Sequence, residues 1–140
     1  MNIKLYVIIL SMMLLMTTVN IAPENIKAEG TDSLSPEITS ASVTPDTIGF
    51  GFNVTIAPSV FDNQSGVNLV RVNITYPDDT YGNYTMNNTN GSIYEYVFNN
   101  TWQNGQYNYT IWSIDNANNT NISSQYSFNV SAQQTSRSVP

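Results

Sequence analysis

The side chains able to do chemistry are few in this sequence, and they fall in turns. There is no Cys and no His in the 140 residues, which removes the thiolate nucleophile, the usual general base and the commonest metal ligand together. Carboxylates are what remain. Asp46 follows Pro45, Asp78 and Asp79 follow Pro77, and Asp62 and Asp115 precede Asn63 and Asn116. In a two-sheet protein, loops alternate between the two ends, so Asp62 and Asp115 share one end and Asp46, Asp78 and Asp79 the other. No pair is then held across a cleft at the roughly 5 to 9.5 Å that glycoside hydrolysis needs. No catalytic residue and no enzyme activity are expected. Asp62 and Asp115, with Asn and Gln carbonyls nearby, are the calcium candidates. Their loops lack the charge density of a tight site, and Asp in a turn is ordinary Asx chemistry, so neither a metal nor a cofactor is expected.

A modification motif is denser than the chemistry. Asn-x-Ser/Thr, never with Pro in the middle, occurs at Asn53, Asn63, Asn73, Asn83, Asn87, Asn90, Asn99, Asn108, Asn118, Asn121 and Asn129. Random placement of the Asn, Ser and Thr that follow position 28 gives about four such sites. An outward strand face made of uncharged polar residues places Asn and Thr two apart, which accounts for Asn53, Asn73, Asn83, Asn108 and Asn129. The sites read as loop positions, at Asn63, Asn87, Asn90, Asn99, Asn118 and Asn121, need another reason, and N-glycosylation of an exported chain supplies one. Full occupancy is not expected. Asn73, Asn108 and Asn129 would sit at one level on neighbouring strands about 4.8 Å apart, too close for three glycans.

Export is read from residues 1–28. Lys4 gives a positive start, residues 5–16 are almost wholly apolar, and a polar stretch ends at Ala28, the pattern of a helical, cleaved signal peptide. The alternative is a retained anchor, because residues 5–22 approach the lower limit for crossing a bilayer. If the signal is cleaved, no membrane span is left in the mature chain. Beyond Ala28 only Arg71 and Arg137 are basic, so nucleic acid finds no electrostatic footprint.

From residue 36 to 131 the pattern alternates with period two and never with a helical period. Seven strands are expected, and 48–56 is read as one of them, with Ile48, Phe50, Phe52, Val54 and Ile56 inward. Residues 57–66 read as a loop, and 67–76 as a strand with Val70, Val72, Ile74 and Tyr76 inward. A short strand near 81–86 follows, then one carrying Tyr94, Tyr96 and Phe98. Residues 105–115 alternate Tyr107, Tyr109 and Ile111 with Asn108, Thr110 and Trp112, and 122–131 closes the set with Tyr126, Phe128 and Val130 inward. About a hundred residues in this pattern form an all-β, two-sheet sandwich. Residues 29–35 are a polar lead-in, and 132–140 a patternless, disordered tail.

Two aromatic features bear on partners. Leu69, Trp112 and Ile114 are expected to project outward together at one end of a sheet, as a contact surface. Trp102 lies in the connection between the two sheets, where a large apolar plug is expected.

The pieces PEI, GFGFNVTI, DNQSGV, VRVNITYPDD, GNYTM and GQYNYTIWSIDNANN, followed by YSFNV, resemble the immunoglobulin-like modules of archaeal surface and secreted proteins. The resemblance covers residues 36–131. It implies a Greek-key sandwich and a structural or adhesive role at the cell surface or in secreted form, with other surface proteins or glycans as partners. Such modules have Gly in the turn after the sixth strand where this chain has Asn118, a residue that tolerates the left-handed conformation. The alternative function is a glycan- or protein-binding module acting through the Asp62/Asp115 loop end or the Trp112 face.

Overall fold

The computed structural model describes residues 32–132. The leader at 1–28, most of the tail and the first residues of the lead-in lie outside the described residues. Ten strands make two sheets: β1 (Glu37–Thr44), β2 (Thr47–Gly49), β3 (Val54–Phe61), β4 (Val67–Thr75), β5 (Tyr81–Thr85), β6 (Asn87–Asn90), β7 (Ile93–Phe98), β8 (Gly105–Asp115), β9 (Thr120–Ile122) and β10 (Tyr126–Ser131). One sheet runs β1-β3-β7-β6 and the other β2-β10-β8-β4-β5, with β9 paired to β8. The described residues form an all-β, two-sheet sandwich.

Period-two alternation builds the core between the sheets. Along β8 the odd positions Tyr107, Tyr109, Ile111, Ser113 and Asp115 are buried and the even ones are not, because successive side chains of a strand point to opposite faces. Val54, Ile56 and Val60 of β3 meet Val70, Val72 and Ile74 of β4 and Phe128 and Val130 of β10 in one cluster. Rings fill its centre. Tyr107 stacks on Phe128 with centroids 5.0 Å apart, and Phe98 meets Tyr107 and Phe128 edge-on at 5.8 and 5.9 Å, arrangements that suit the ring quadrupole. Burial pushes the Tyr109 hydroxyl up to about 12. That hydroxyl donates to the Ala41 carbonyl at 3.0 Å and so ties β8 to β1 across the layers.

Four sequence expectations need correction. Residues 48–56 are two strands in different sheets, because the chain turns at Gly51, whose φ of 75° lies in the left-handed region. The parity survives the turn but Phe50 and Phe52 do not face inward; they are 39% and 60% exposed. Residues 57–61 continue β3 rather than forming a loop, and the β3–β7 ladder passes over Pro58, which has no N–H to give. At the other end, 122–131 is broken between β9 and β10. Ser123 explains the break: its hydroxyl accepts from the Ile111 N–H at 2.9 Å, in place of a backbone carbonyl. Asn87, Asn90 and Asn121 lie on strands rather than in loops, and Asn53, read as a strand position, lies in the turn before β3. The count of ten exceeds the expected seven by β2, β6 and β9, each of four residues or fewer.

Phe128→Ala should lower unfolding free energy by about 3–5 kcal/mol, read as a lower urea midpoint. Tyr107→Phe should cost less, because it keeps the stack and loses only the hydroxyl bonds to Asn100, Gln103 and the Gln103 N–H. Val97→Ala, at a side chain 51% exposed, should stay within about 0.5 kcal/mol of the parent.

Candidate functional site

Three places gather the side chains singled out by the sequence: an acidic pole, an outer sheet face, and an aromatic pole. At the first, the turn after β3 and the turn after β8 meet the lead-in. Asp62 Oδ1 accepts from the N–H groups of Gln64, Ser65 and Gly66 at 3.1, 2.9 and 2.7 Å. Asp115, fully buried, accepts from Ala117 and Asn119 N–H, each at 2.8 Å, and from the Asn119 side-chain amide at 2.8 Å. Asn118 completes that turn at φ 71°. Asn116 stitches the two turns together by donating its amide to the Ser65 and Gly66 carbonyls.

Asp32 of the lead-in joins them. Its carboxylate accepts from the Leu34 and Ser65 N–H groups, and the Asn119 amide donates to its carbonyl at 3.2 Å. One oxygen from each of Asp32, Asp62 and Asp115 lies within 4.8 Å of the others. This is denser in charge than the two-carboxylate arrangement expected from the sequence, and three oxygens so spaced could hold a hard cation. The backbone donors already meet much of the negative charge, which gives the cluster a structural task as a clasp between two turns and the incoming chain. Ser65 and the Leu34 N–H hold the Asp32 carboxyl below the usual carboxylate range. Asp78, at another turn, is lowered in the same way by the Thr80 hydroxyl and N–H and by the Gln103 amide.

On the outer face of the larger sheet, Leu69 stands opposite Ile114 and Arg71 opposite Trp112. Leu69, Trp112 and Ile114 are each half-buried. The sequence reading missed Ile122, which pairs with Trp112 from β9 and is 58% exposed. The sequon asparagines of that face are not level as expected. Asn73 is opposite Thr110, Asn108 opposite Thr75 and Ser127, and Asn129 opposite Gln106, so they descend diagonally, two residues per strand. Asn83 is the direct neighbour of Asn73 and donates its amide to Asn73 Oδ1. The Asn121 amide donates to the Pro36 carbonyl at 2.8 Å, which ties β9 to the lead-in.

The aromatic pole overturns the expectation for Trp102. Its ring is no plug but is 68% exposed, because the connection that carries it is bonded to the outside of the β2–β3 turn. The Gly51 N–H donates to the Thr101 carbonyl at 3.2 Å, and the Thr101 hydroxyl donates to the Phe52 carbonyl at 2.8 Å. A cleft of about 670 Å³ opens there, lined by Pro45, Ile48, Gly49, Gly51, Phe52 and Asn53. A smaller one of about 190 Å³ lies beside Asp62, Val67 and Tyr94.

No protein-family model matches the chain, and no curated protein matches it. Among solved structures it is similar to the Pseudomonas fluorescens alkylpurine DNA glycosylase AlkC bound to DNA containing an abasic site analog. That likeness has a TM-score of 0.51 at 11% identity, over 72% of this chain and 32% of the other. It is also similar, at a TM-score of 0.39 and 5% identity, to a beta-glucosidase from Listeria innocua in complex with glucose, over 70% of this chain and 16% of the other. The first likeness is one of fold, and the second carries no argument. The chain spans a minor share of either protein, so neither enzyme's activity carries over.

Asp62→Ala removes the acceptor of three backbone N–H groups and should cost about 1–3 kcal/mol, with faster amide exchange at Ser65 and Gly66. Asp62→Asn keeps an acceptor oxygen and should cost less. The lowered carboxyls of Asp32 and Asp78 contribute stability that is fully present above the ordinary Asp value of about 3.9 and is lost as pH falls through their lower folded-state values. The protection of the Leu34 and Thr80 amides, measured as exchange relative to the intrinsic rate at each pH, should therefore fall below about pH 4 and stay level above about pH 5.

Proposed function

We propose that the chain is a non-catalytic, exported immunoglobulin-like module with a structural or adhesive role at the cell surface, its outer surface carrying N-linked glycan. The observation that carries this reading is the surface itself. Of the eleven sequon asparagines, Asn53, Asn63, Asn83, Asn87, Asn90, Asn99, Asn118 and Asn129 are exposed, four on strands and four in the turns between them, on a surface of Asn, Ser and Thr where a protein of the cell interior usually carries charge. Further support comes from the strand order. The first strand pairs with β3 in one sheet, and the chain then passes through Thr44-Pro45 to place β2 beside β10 in the other. That strand order suits an immunoglobulin-like sandwich. Among the described residues the lining of the larger cleft holds no ionisable side chain, so they offer no acid or base to a reaction.

Mass spectrometry of the protein from its native source tests the reading. The expected result is a chain cut after Ala28 with glycan at Asn87, Asn118 or Asn129, where both the Asn and the hydroxyl residue two places on are exposed. Asn121 should be bare, because its amide is committed to Pro36, and Asn73 and Asn83 should not both be occupied. An unmodified, uncut chain recovered from the cell interior would overturn the reading.

A further inference from the structure

Three aromatic rings stand in water around the β2–β3 turn: Phe50 is 39%, Phe52 60% and Trp102 68% exposed. Burying one such side chain is worth roughly 1.5–3 kcal/mol, so an exposed group of them marks a contact surface more often than a lone ring does. Trp102 is held rather than loose. Thr101 beside it is fully buried, the two hydrogen bonds to Gly51 and Phe52 fix its backbone, and a Cβ on Gly51 would overlap the Trp102 ring. One side of the ring is thus supported on the glycine and the remainder is open.

The lining of the adjacent cleft decides the class of ligand. At about 670 Å³ it falls in the range of small-molecule sites. Pro45, Ile48, Gly49, Gly51, Phe52 and Asn53 carry no charge, so a phosphate or carboxylate gains nothing by entering. What the pole offers is exposed ring surface, from Phe52 and Trp102, edged by an exposed amide, Asn53. A pyranose presents the complement: an apolar C–H face and a rim of hydroxyls. A protein partner would need a continuous patch of about 800 Å², and the rings here give way to the exposed asparagines Asn53 and Asn99, which the Val54↔Phe98 register brings to the same end of the ladder.

We propose that Trp102, Phe52 and Asn53 form a seat for one neutral sugar ring. The sugar has two possible sources. It is either a saccharide from outside the chain or the first residues of a glycan on Asn53 itself, whose sequon is Asn53-Val54-Thr55; the second source rests on the glycosylation reading above.

The test follows the two indole N–H signals by NMR, with Trp112 as the internal control. In the first arm the full chain, made in a host that adds no N-glycan, is titrated with glucose, galactose, mannose and N-acetylglucosamine to tens of millimolar. A saturable shift of Trp102 alone, weakened about tenfold by Phe52→Ala, identifies the outside source. In the second arm the native protein is compared with the same sequence made in the host that adds no N-glycan, and a shift of Trp102 alone, with glycan found on Asn53 by mass spectrometry, identifies the chain's own glycan. Trp102 unmoved in both arms overturns the proposal, as does a titration indifferent to Phe52→Ala. Trp102 broadening with protein concentration and no sugar present also overturns it, by marking a second copy as the occupant. A native protein bare of glycan at every site would sink the glycosylation reading while leaving the first arm to decide this one.

Discussion

Two sheets with no disulfide between them depend on the contact that Tyr107, Tyr109 and Ile111 of β8 make with the opposite layer. β8 is the longest strand, it is central in its sheet, and its inward positions are buried without interruption. Phe98 reaches the Tyr107–Phe128 stack from the other sheet, so the layers interlock through rings rather than lie flat on one another. The buried tyrosine hydroxyls keep partners: Tyr109 on Ala41, Tyr107 on the 100–103 backbone, Tyr76 on Tyr84 at 2.6 Å. An unpaired hydroxyl there would cost about as much as the ring's own packing contributes. Using Tyr in a core therefore fixes the layers in direction as well as in spacing.

That central strand also separates two ends with opposite chemistry. Where β8 finishes, three carboxylates are clasped by backbone N–H groups and side-chain amides, and the pole is organised inward upon itself. Where β8 begins, hydrogen bonds of the same kind press the 99–104 connection onto the β2–β3 turn and push Trp102 outward. One pole spends its polar groups on internal order. The other uses them to present apolar surface.

Much of this was readable in the residues. The inward sets of β4, β8 and β10 follow from parity alone, and the shared pole of Asp62 and Asp115 follows from counting loops. What escaped were places where one residue resets the geometry without disturbing the pattern. Gly51 reverses the chain while Phe50, Phe52 and Val54 keep their parity, so two exposed rings read as core. Ser123 replaces a backbone acceptor with its own hydroxyl and splits into β9 and β10 a stretch whose composition is unremarkable for a strand. Asp32 sits in a lead-in with no alternation, so only its position in space gives it a role. Trp102 lies in a connection whose path is set by Thr101, a residue that composition alone does not distinguish from any other threonine.

The parallel pairing of β2 with β10 carries a mechanical consequence. Thr47, Ile48 and Gly49 lie beside Asn129, Val130 and Ser131, with β1 and its ladder on β3 upstream of them. Tension passed on from β1 into β2 and drawn out through β10 slides the two strands past each other instead of peeling them apart. Their hydrogen bonds must then yield together rather than one at a time, so a ladder of only three residue pairs is placed where load is shared evenly.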